Sequence, residues 1–457
     1  MSNVLLVEPD YRSKFPPLGL LRIAAYHKER GDNVTFTRGI VEALRALSWH
    51  RVYVSSLFTY ELPRTVRTIK YYRPAVDDDD HIIVGGVGAT LLPEFIRARV
   101  PCRIVTGPLT RPAMLDGETT PIADYTPDYS LIDDIKGTYQ PKDSYFCRVT
   151  TGCIRRCKFC AVPTLEPEFK PCQPLKAQIE SVDQTYGERQ NLVILDNNIL
   201  ASKGFRKTVH DIRAAGFEKG AKRNRRQRIL DFNQGIDARL VTDEVAELLA
   251  TTCLDPVRLA YDYSGMKKAY VAAIKRLAHH GFQEFTNYVM FNFNDDPRDF
   301  YDRIRLNVEL SEELGIRITG FPMKYSPVTE VDRRYIAPGW KWRYLRGIQC
   351  VLLATHGLVS PNPVFFDAAF GPDYNTFLET LSMPDRYIIH REKYKMAEAK
   401  DWQRRFSRLS QSRRAQFLDS LAMVVRSREK ERAIREHRLP AALVEHYYPG
   451  GRATPCV

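Results

Sequence analysis

The chain reads as an α/β protein with an N-terminal doubly wound parallel sheet, a partial (β/α)6 barrel of the TIM type and a helical, basic C-terminal region. Three observations predict this. Short apolar runs alternate with helical patterns over residues 1–106, the alternation resumes from residue 144 with longer helices, and basic charge gathers near the C-terminus. In the first segment the runs are Val4 to Glu8, Val34 to Thr37, Arg51 to Ser56, His81 to Gly86 and Cys102 to Thr106, with a helical pattern over Leu18 to Lys28. Such alternation predicts parallel strands joined by crossover helices. In the second, strands are predicted at Tyr145 to Thr150, Leu192 to Leu195, Ile229 to Asn233, Arg258 to Tyr261, Asn287 to Phe291 and Ile316 to Phe321. Amphipathic stretches at Asp243 to Ala250, Ala269 to His279 and Arg298 to Leu314 lie among them.

Between these segments, Pro108, Pro112, Pro121, Pro127 and Pro141 interrupt any regular element, so residues 107–143 read as a linker packed on the surface. The predicted organisation is therefore a sheet domain over 1–106, the linker, a barrel over 144–325 and a C-terminal region over 326–457. A length of 457 residues and 44% hydrophobic content suit two or three globular domains. Nine scattered cysteines fit a reducing compartment better than a disulfide framework. No run of about eighteen apolar residues occurs and no basic leader precedes an apolar stretch, so a cytoplasmic protein with no membrane partner is expected.

The strongest chemical signal is Cys153, Cys157 and Cys160, in Cys-Ile-Arg-Arg-Cys-Lys-Phe-Cys directly after the first predicted barrel strand. Structural zinc sites pair Cys-x-x-Cys knuckles and close with a fourth ligand. The nearby Cys147 and Cys172 make no second knuckle. A [4Fe-4S] cluster held by three thiolates keeps one iron open to a chelating molecule. Active groups of such barrels stand at the carboxyl ends of the strands. There the sequence places Asp196-Asn197-Asn198, Gln234-Gly235, Asp262, Asn292 and Lys324.

The CxxxCxxC loop after the first strand, with Phe159 before the last cysteine, resembles that of the radical S-adenosylmethionine (SAM) superfamily. The resemblance implies a [4Fe-4S] cluster on Cys153, Cys157 and Cys160. Its electron cleaves SAM to methionine and a 5′-deoxyadenosyl radical that attacks an unactivated C–H bond. It also implies an external electron donor of the flavodoxin or ferredoxin type. Carried over residue by residue, Asp196, Asn197 and Asn198 would hold the SAM amine, Phe159 would lie against the adenine, Gln234 and Asp237 would meet the ribose or carboxylate, and Tyr288 and Met290 would border the adenine. Each of these strand-end residues has a plainer reading as a helix cap or turn.

The N-terminal hundred residues, with Pro16-Pro17-Leu18-Gly19-Leu20-Leu21 and Ile83-Val84-Gly85-Gly86, are similar to the cobalamin-binding-type domain preceding many such barrels. That likeness brings in cobalamin as a second cofactor. The Asp-x-His-x-x-Gly string that supplies a lower histidine to cobalt is missing, and His27, His50 and His81 all lack its context. A second cysteine trio, needed by methylthiotransferases, is also missing.

A net charge of +13 is uneven: residues 390–438 hold fifteen Lys or Arg against seven Asp or Glu. A second basic cluster comprises Lys219, Lys222, Arg223, Arg225, Arg226 and Arg228. Lys324, Tyr325, Arg333, Arg334, Tyr335, Trp340 and Trp342 mix aromatic and basic groups past the last strand, as a substrate mouth would. These clusters suit a nucleic acid or other polyanionic substrate, or merely a solvated face. The functions in competition are a radical SAM enzyme, a cobalamin-dependent radical SAM methyltransferase, and a non-enzymatic zinc protein that binds nucleic acid.

Overall fold

Residues 1–133, 139–390, 397–426 and 430–448 are described in the computed structural model. The chain forms two compact units, one of residues 1–257 with 326–335 and one of residues 258–325 with 336–457.

The first unit opens with five parallel strands, β1 (Asn3–Glu8), β2 (Asn33–Arg38), β3 (Arg51–Ser55), β4 (Ile82–Gly85) and β5 (Arg103–Ile104), in the order β2-β1-β3-β4-β5. Both faces are apolar and both are covered. Leu5, Val7, Val52, Val54, Ile82 and Val84 pack with Val66, Ile69 and Tyr72 of the helix Leu62–Tyr72. Val4, Leu6, Tyr53 and Ile83 meet Leu20, Ile23, Ala24 and Tyr26 of helix α1 (Leu18–Glu29). Period-2 alternation along each strand thus feeds two cores, each buried side chain contributing about 1.5–3 kcal/mol. Pro16 and Pro17 set the start of α1, and Gly31, at φ +79°, ends it. Leu115 and Ile122, from the proline-rich stretch, complete the α1 face.

A second sheet in the same unit holds β6 (Ser144–Cys147), β9 (Asn191–Ile194) and β12 (Leu230–Phe232), all parallel in the order β12-β9-β6. Between β6 and β9 lies a small antiparallel pair, β7 (Thr150–Thr151) with β8 (Lys170–Pro171). Within the second basic cluster, Lys222–Arg223 and Arg226–Gln227 (β10 and β11) form a hairpin. Its turn residues Asn224 and Arg225 stand at φ +51° and +63°, the left-handed pair of a type I′ turn. The hairpin precedes β12 and so lies at the amino ends of this sheet.

β13 (Val257–Ala260), which belongs to the second unit from Arg258 onward, forms a three-stranded sheet with β14 (Glu284–Phe291) and β15 (Arg317–Lys324), the last two parallel throughout. The predicted helices over 269–279 and 298–314 are present as Lys267–His279 and Pro297–Leu314. Buried Arg303 donates to Asp295 and Asp299 and to the carbonyls of Tyr261 and Met290, so its charge is satisfied. The helices Trp342–Ala354 and Tyr374–Ser382 approach closely at Gly347, where an added Cβ would stand 2.5 Å from the Leu381 carbonyl. A further apolar cluster gathers Tyr387, Trp402, Phe406, Phe417, Leu421 and Tyr447. Among the described residues no helix is long and apolar enough to cross a membrane.

Two predictions follow from this packing. Gly347→Val should destabilise the protein by several kcal/mol through backbone overlap, read as a lower denaturation midpoint, whereas Gly357→Ala, with open space around it, should cost only its backbone strain. Glu8, buried at the end of β1, accepts from Tyr139 and pairs with Arg38 at 3.3 Å; burial lifts its carboxyl to about 7 against those two partners. A raised carboxyl favours the folded state at low pH and loses that contribution as pH climbs from about 4.5 through 7. Relative to the wild type, Glu8→Gln should flatten the fall of melting temperature between pH 5 and 8; parallel curves would contradict the assignment.

Candidate metal and cofactor site

The cysteine loop leaves the sheet where β6 passes into β7, and one carboxylate fixes that exit. Asp196, just past β9 and 3% exposed, accepts from the Val149 N–H at 2.9 Å, the Thr150 N–H at 2.6 Å and the Thr150 hydroxyl. Burial raises its pKa and those three donors oppose the rise. Gly152 then turns the chain at φ +71°, and a Cβ there would lie 2.3 Å from the Glu168 carbonyl, so the position takes only glycine. A second carboxylate, Glu166, accepts from the Gly152 N–H at 2.7 Å, from Asn197 Nδ2 at 2.8 Å and from the two terminal guanidinium nitrogens of Arg148.

The loop presents Cys153, Cys157 and Cys160, each partly exposed, with Phe159 partly exposed beside them. N–H groups are directed at two of the sulfurs. Arg155 N lies 3.3 Å from Cys153 Sγ, and Val162 N lies 3.4 Å from Cys160 Sγ. Asn198 Nδ2 reaches Cys153 Sγ at 3.5 Å and Asp237 Oδ2 at 3.3 Å. Such donors stabilise anionic sulfur and tune a cluster bound to it. Asp237 is gripped by Arg239 and, at 3.0 Å, by Arg155 of the loop itself. Burial pushes its carboxyl up, but the bonds from Arg239 and Arg155 outweigh it and leave the pKa below the usual value. Two buried polar atoms beside the loop have no hydrogen-bond partner, Asn198 Oδ1 and Thr151 Oγ1. A donor-bearing ligand fits there, because a buried orphan acceptor is costly. Among the described residues no group of three or more His, Cys, Asp or Glu side chains stands as a ready-made site for a single metal ion.

The structure thus brings together Cys153, Asn198 and Asp237, with Asp196 and Asn197 behind them. Gln234 is exposed at the end of β12, its amide on Asn233 Oδ1. Tyr288 and Met290 lie in the second unit on the half-exposed face of β14; Tyr288 packs on Phe321 and accepts from Arg258. Lys324 ends β15 and Tyr325 packs on Phe293 in that same unit. Arg333 and Arg334 belong to the first unit, the one over the Tyr60 ring and the other paired with Asp332. Trp340 corrects the substrate-mouth expectation: it is 5% exposed, bonded to Asp295 and packed on Phe291 and Phe300, a core residue.

Sequence reading missed a cavity of about 730 Å³ within the first unit. Its wall runs from the carboxyl ends of the five-stranded sheet, at Ser55, Ser56, Gly85 and Gly86, to Phe146, Thr151 and Asn233 at the strand ends beside the cysteine loop. Open α/β sheets hold ligands at that edge.

Asp196→Ala should strand the buried N–H groups of Val149 and Thr150, at about 1–3 kcal/mol each. The expected result is a lower denaturation midpoint together with reduced iron uptake on anaerobic reconstitution. Unchanged iron uptake would separate the carboxylate from the loop.

No protein-family model and no curated protein matches the chain. Among solved structures it is similar to OxsB, a cobalamin-dependent S-adenosylmethionine radical enzyme, at 11% identity and TM-score 0.45, over 67% of this chain and 51% of that one. It is also similar to SuiB of Streptococcus suis, solved with its precursor peptide SuiA (14% identity, 47% of this chain, 46% of that one, TM-score 0.32). The SuiB structure bound to S-adenosylmethionine gives 15% identity, 47% of this chain, 48% of that one and TM-score 0.32. The chain spans about half the length of these structures.

Proposed function

We propose that the chain is a radical SAM enzyme whose [4Fe-4S] cluster is held by Cys153, Cys157 and Cys160. The observation that carries this reading is the loop itself: three cysteines on one glycine-turned segment, N–H donors at two of the sulfurs, and no fourth cysteine in the motif. A bound cluster would supply one electron to SAM, cleaving it to methionine and a 5′-deoxyadenosyl radical that takes a hydrogen atom from an unactivated C–H bond.

The chain's own residues then divide the remaining work. Asn198 offers its orphan Oδ1 to the SAM amine while its Nδ2 bonds to Cys153. Asp196 and Asn197 act as positioning residues, one on the strand exit and one on Glu166. Asp237 orients Arg155 and with it the first turn of the loop. Arg156 and Lys158, exposed on either side of Cys157, suit an acidic electron donor of the flavodoxin or ferredoxin type. The same reading divides the chain into a cobalamin-binding-like sheet domain (1–106), a linker (107–143), a partial barrel (144–325) and a helical substrate-shaping region (326–457), in a cytoplasmic protein.

A second reading, cobalamin-dependent methyl transfer, is favoured by the cavity over the carboxyl ends of the five-stranded sheet. Among the described residues no histidine lines that cavity, and the two ring nitrogens of His27 are occupied by Asp32 and Tyr53. A corrinoid there would take no imidazole from the wall. A polyanionic substrate has less to support it. The basic hairpin stands at the amino ends of its sheet, away from the cysteine loop, while Arg404 and Arg405 both bond to Asp401 and Arg414 caps the carbonyls of Phe406 and Leu409.

Reconstituted anaerobically and given SAM and dithionite, the protein should release 5′-deoxyadenosine, and Cys157→Ala should lose at least a hundredfold of that release, followed by mass spectrometry. Undiminished release from the variant would refute the assignment. S-Adenosylhomocysteine formed only with added cobalamin would select the methyl-transfer reading.

A further inference from the structure

The cavity wall carries a cation that no described residue neutralises. Arg22, in the second turn of α1, lines the cavity, its Nε is sealed from solvent, and that atom has no hydrogen-bond partner. Among the described residues its guanidinium makes no ion pair. The titratable groups that act on it are Tyr129, Cys147, Cys172 and Arg148. Burial pushes the Cys147 thiol up to about 12 and raises the pKa of Cys172 and Tyr129, so all three stay neutral near pH 7. Arg148 is a second cation, matched by Glu166. Of the carboxylates in the wall, Glu8 is held by Arg38 and Tyr139, and neither it nor Asp124 pairs with Arg22. Arg22 as a residue is partly exposed, toward the cavity it lines; its guanidinium keeps its proton, and a charge sealed on its inner side without a counterion is costly.

Beside it stands the amino end of α1. Pro16 to Leu20 line the same cavity, and Pro17, at the cap position, offers no side-chain bond. Gly19 and Leu20 are the second and third residues of the helix, whose N–H groups have no partner within it. A Cβ built on Gly19 meets nothing within 4 Å, so a side chain would find open space there. Helix N–H groups and a planar guanidinium form an oxyanion cradle. Much of the remaining wall is apolar, with Leu18, Ile23, Ile83, Val105 and Phe146.

We propose that this cavity is the binding site of a small acidic substrate, an apolar body carrying a carboxylate or phosphate that is anchored by Arg22 and the N–H groups of Gly19 and Leu20. The anchored acid lies in the cavity whose wall includes Thr151 and Asn233, at the strand ends next to the cysteine loop. Its role as substrate rests on the radical reading; the site itself does not.

The test is titration calorimetry on the full-length protein as isolated, with neither cluster nor SAM, using decanoate, decyl phosphate and decan-1-ol as probes. The two oxyanion probes should bind at least tenfold tighter than the alcohol, and the tighter of the two assigns the anion as carboxylate or phosphate. Arg22→Met should abolish that preference, leave the alcohol unaffected and melt no lower than the wild type. Should that variant fail to fold, Gly19→Asp places a carboxylate in the open space and should block decanoate while preserving the helix. Equal binding of acid and alcohol, or acid binding unaltered in Gly19→Asp, would overturn the proposal. Displacement of decanoate by hydroxocobalamin that itself weakens tenfold in Arg22→Met would also overturn it, assigning the anchor to a cofactor tail. Because the assay needs no radical chemistry, its failure is distinguishable from a failure to cleave SAM.

Discussion

The first unit is organised around one buried carboxylate. Asp196 joins the end of β9 to the chain leaving β6 by accepting both backbone N–H groups of Val149 and Thr150. Those two groups mark the point where a parallel strand must stop pairing and turn into a loop, and buried N–H groups left without partners would cost several kcal/mol together. With them satisfied, Gly152 can reverse the chain, Glu166 can clamp the turn from the other side, and the three cysteines emerge from a base whose buried N–H groups are hydrogen-bonded. A cluster held on such a loop needs this rigidity, because small displacements of a ligand set cost both affinity and potential control.

How much of this was legible in the sequence depends on whether the signal was local. The cysteine spacing is local and reads directly. The apolar runs are also local, so the predicted strands fall within a few residues of their expected places. Asp196 was found as a strand-end polar residue, but its partners lie 46 and 47 positions away and become neighbours only through the β6–β9 pairing. Composition near the residue carries nothing about that contact, which is why a ligand-binding role and a structural role could not be told apart.

Burial was the quantity that sequence pattern handled worst. Trp340 sits in a stretch rich in aromatic and basic residues, which reads as an exposed mouth; its indole is in fact packed in the second unit with Nε1 on Asp295. Arg404 and Arg405 count as surplus charge in the sequence, yet share one carboxylate in the fold. Arg22 shows the reverse case. It lies in an ordinary amphipathic helix with no local signal, and only the fold shows that it faces a cavity with no counterion among the described residues. Charge counts describe a chain, whereas compensation is a property of contacts.

The central claim is that the cysteine loop holds a cluster with one iron open to SAM. The most direct measurement is electron paramagnetic resonance of the reduced, anaerobically reconstituted protein, with iron and sulfide quantified on the same sample, before and after SAM is added. The account predicts about four irons and four sulfides per chain and a signal that changes on addition of SAM, as ligation of one open iron requires. Zinc in place of iron, or a four-iron signal indifferent to SAM, would contradict it.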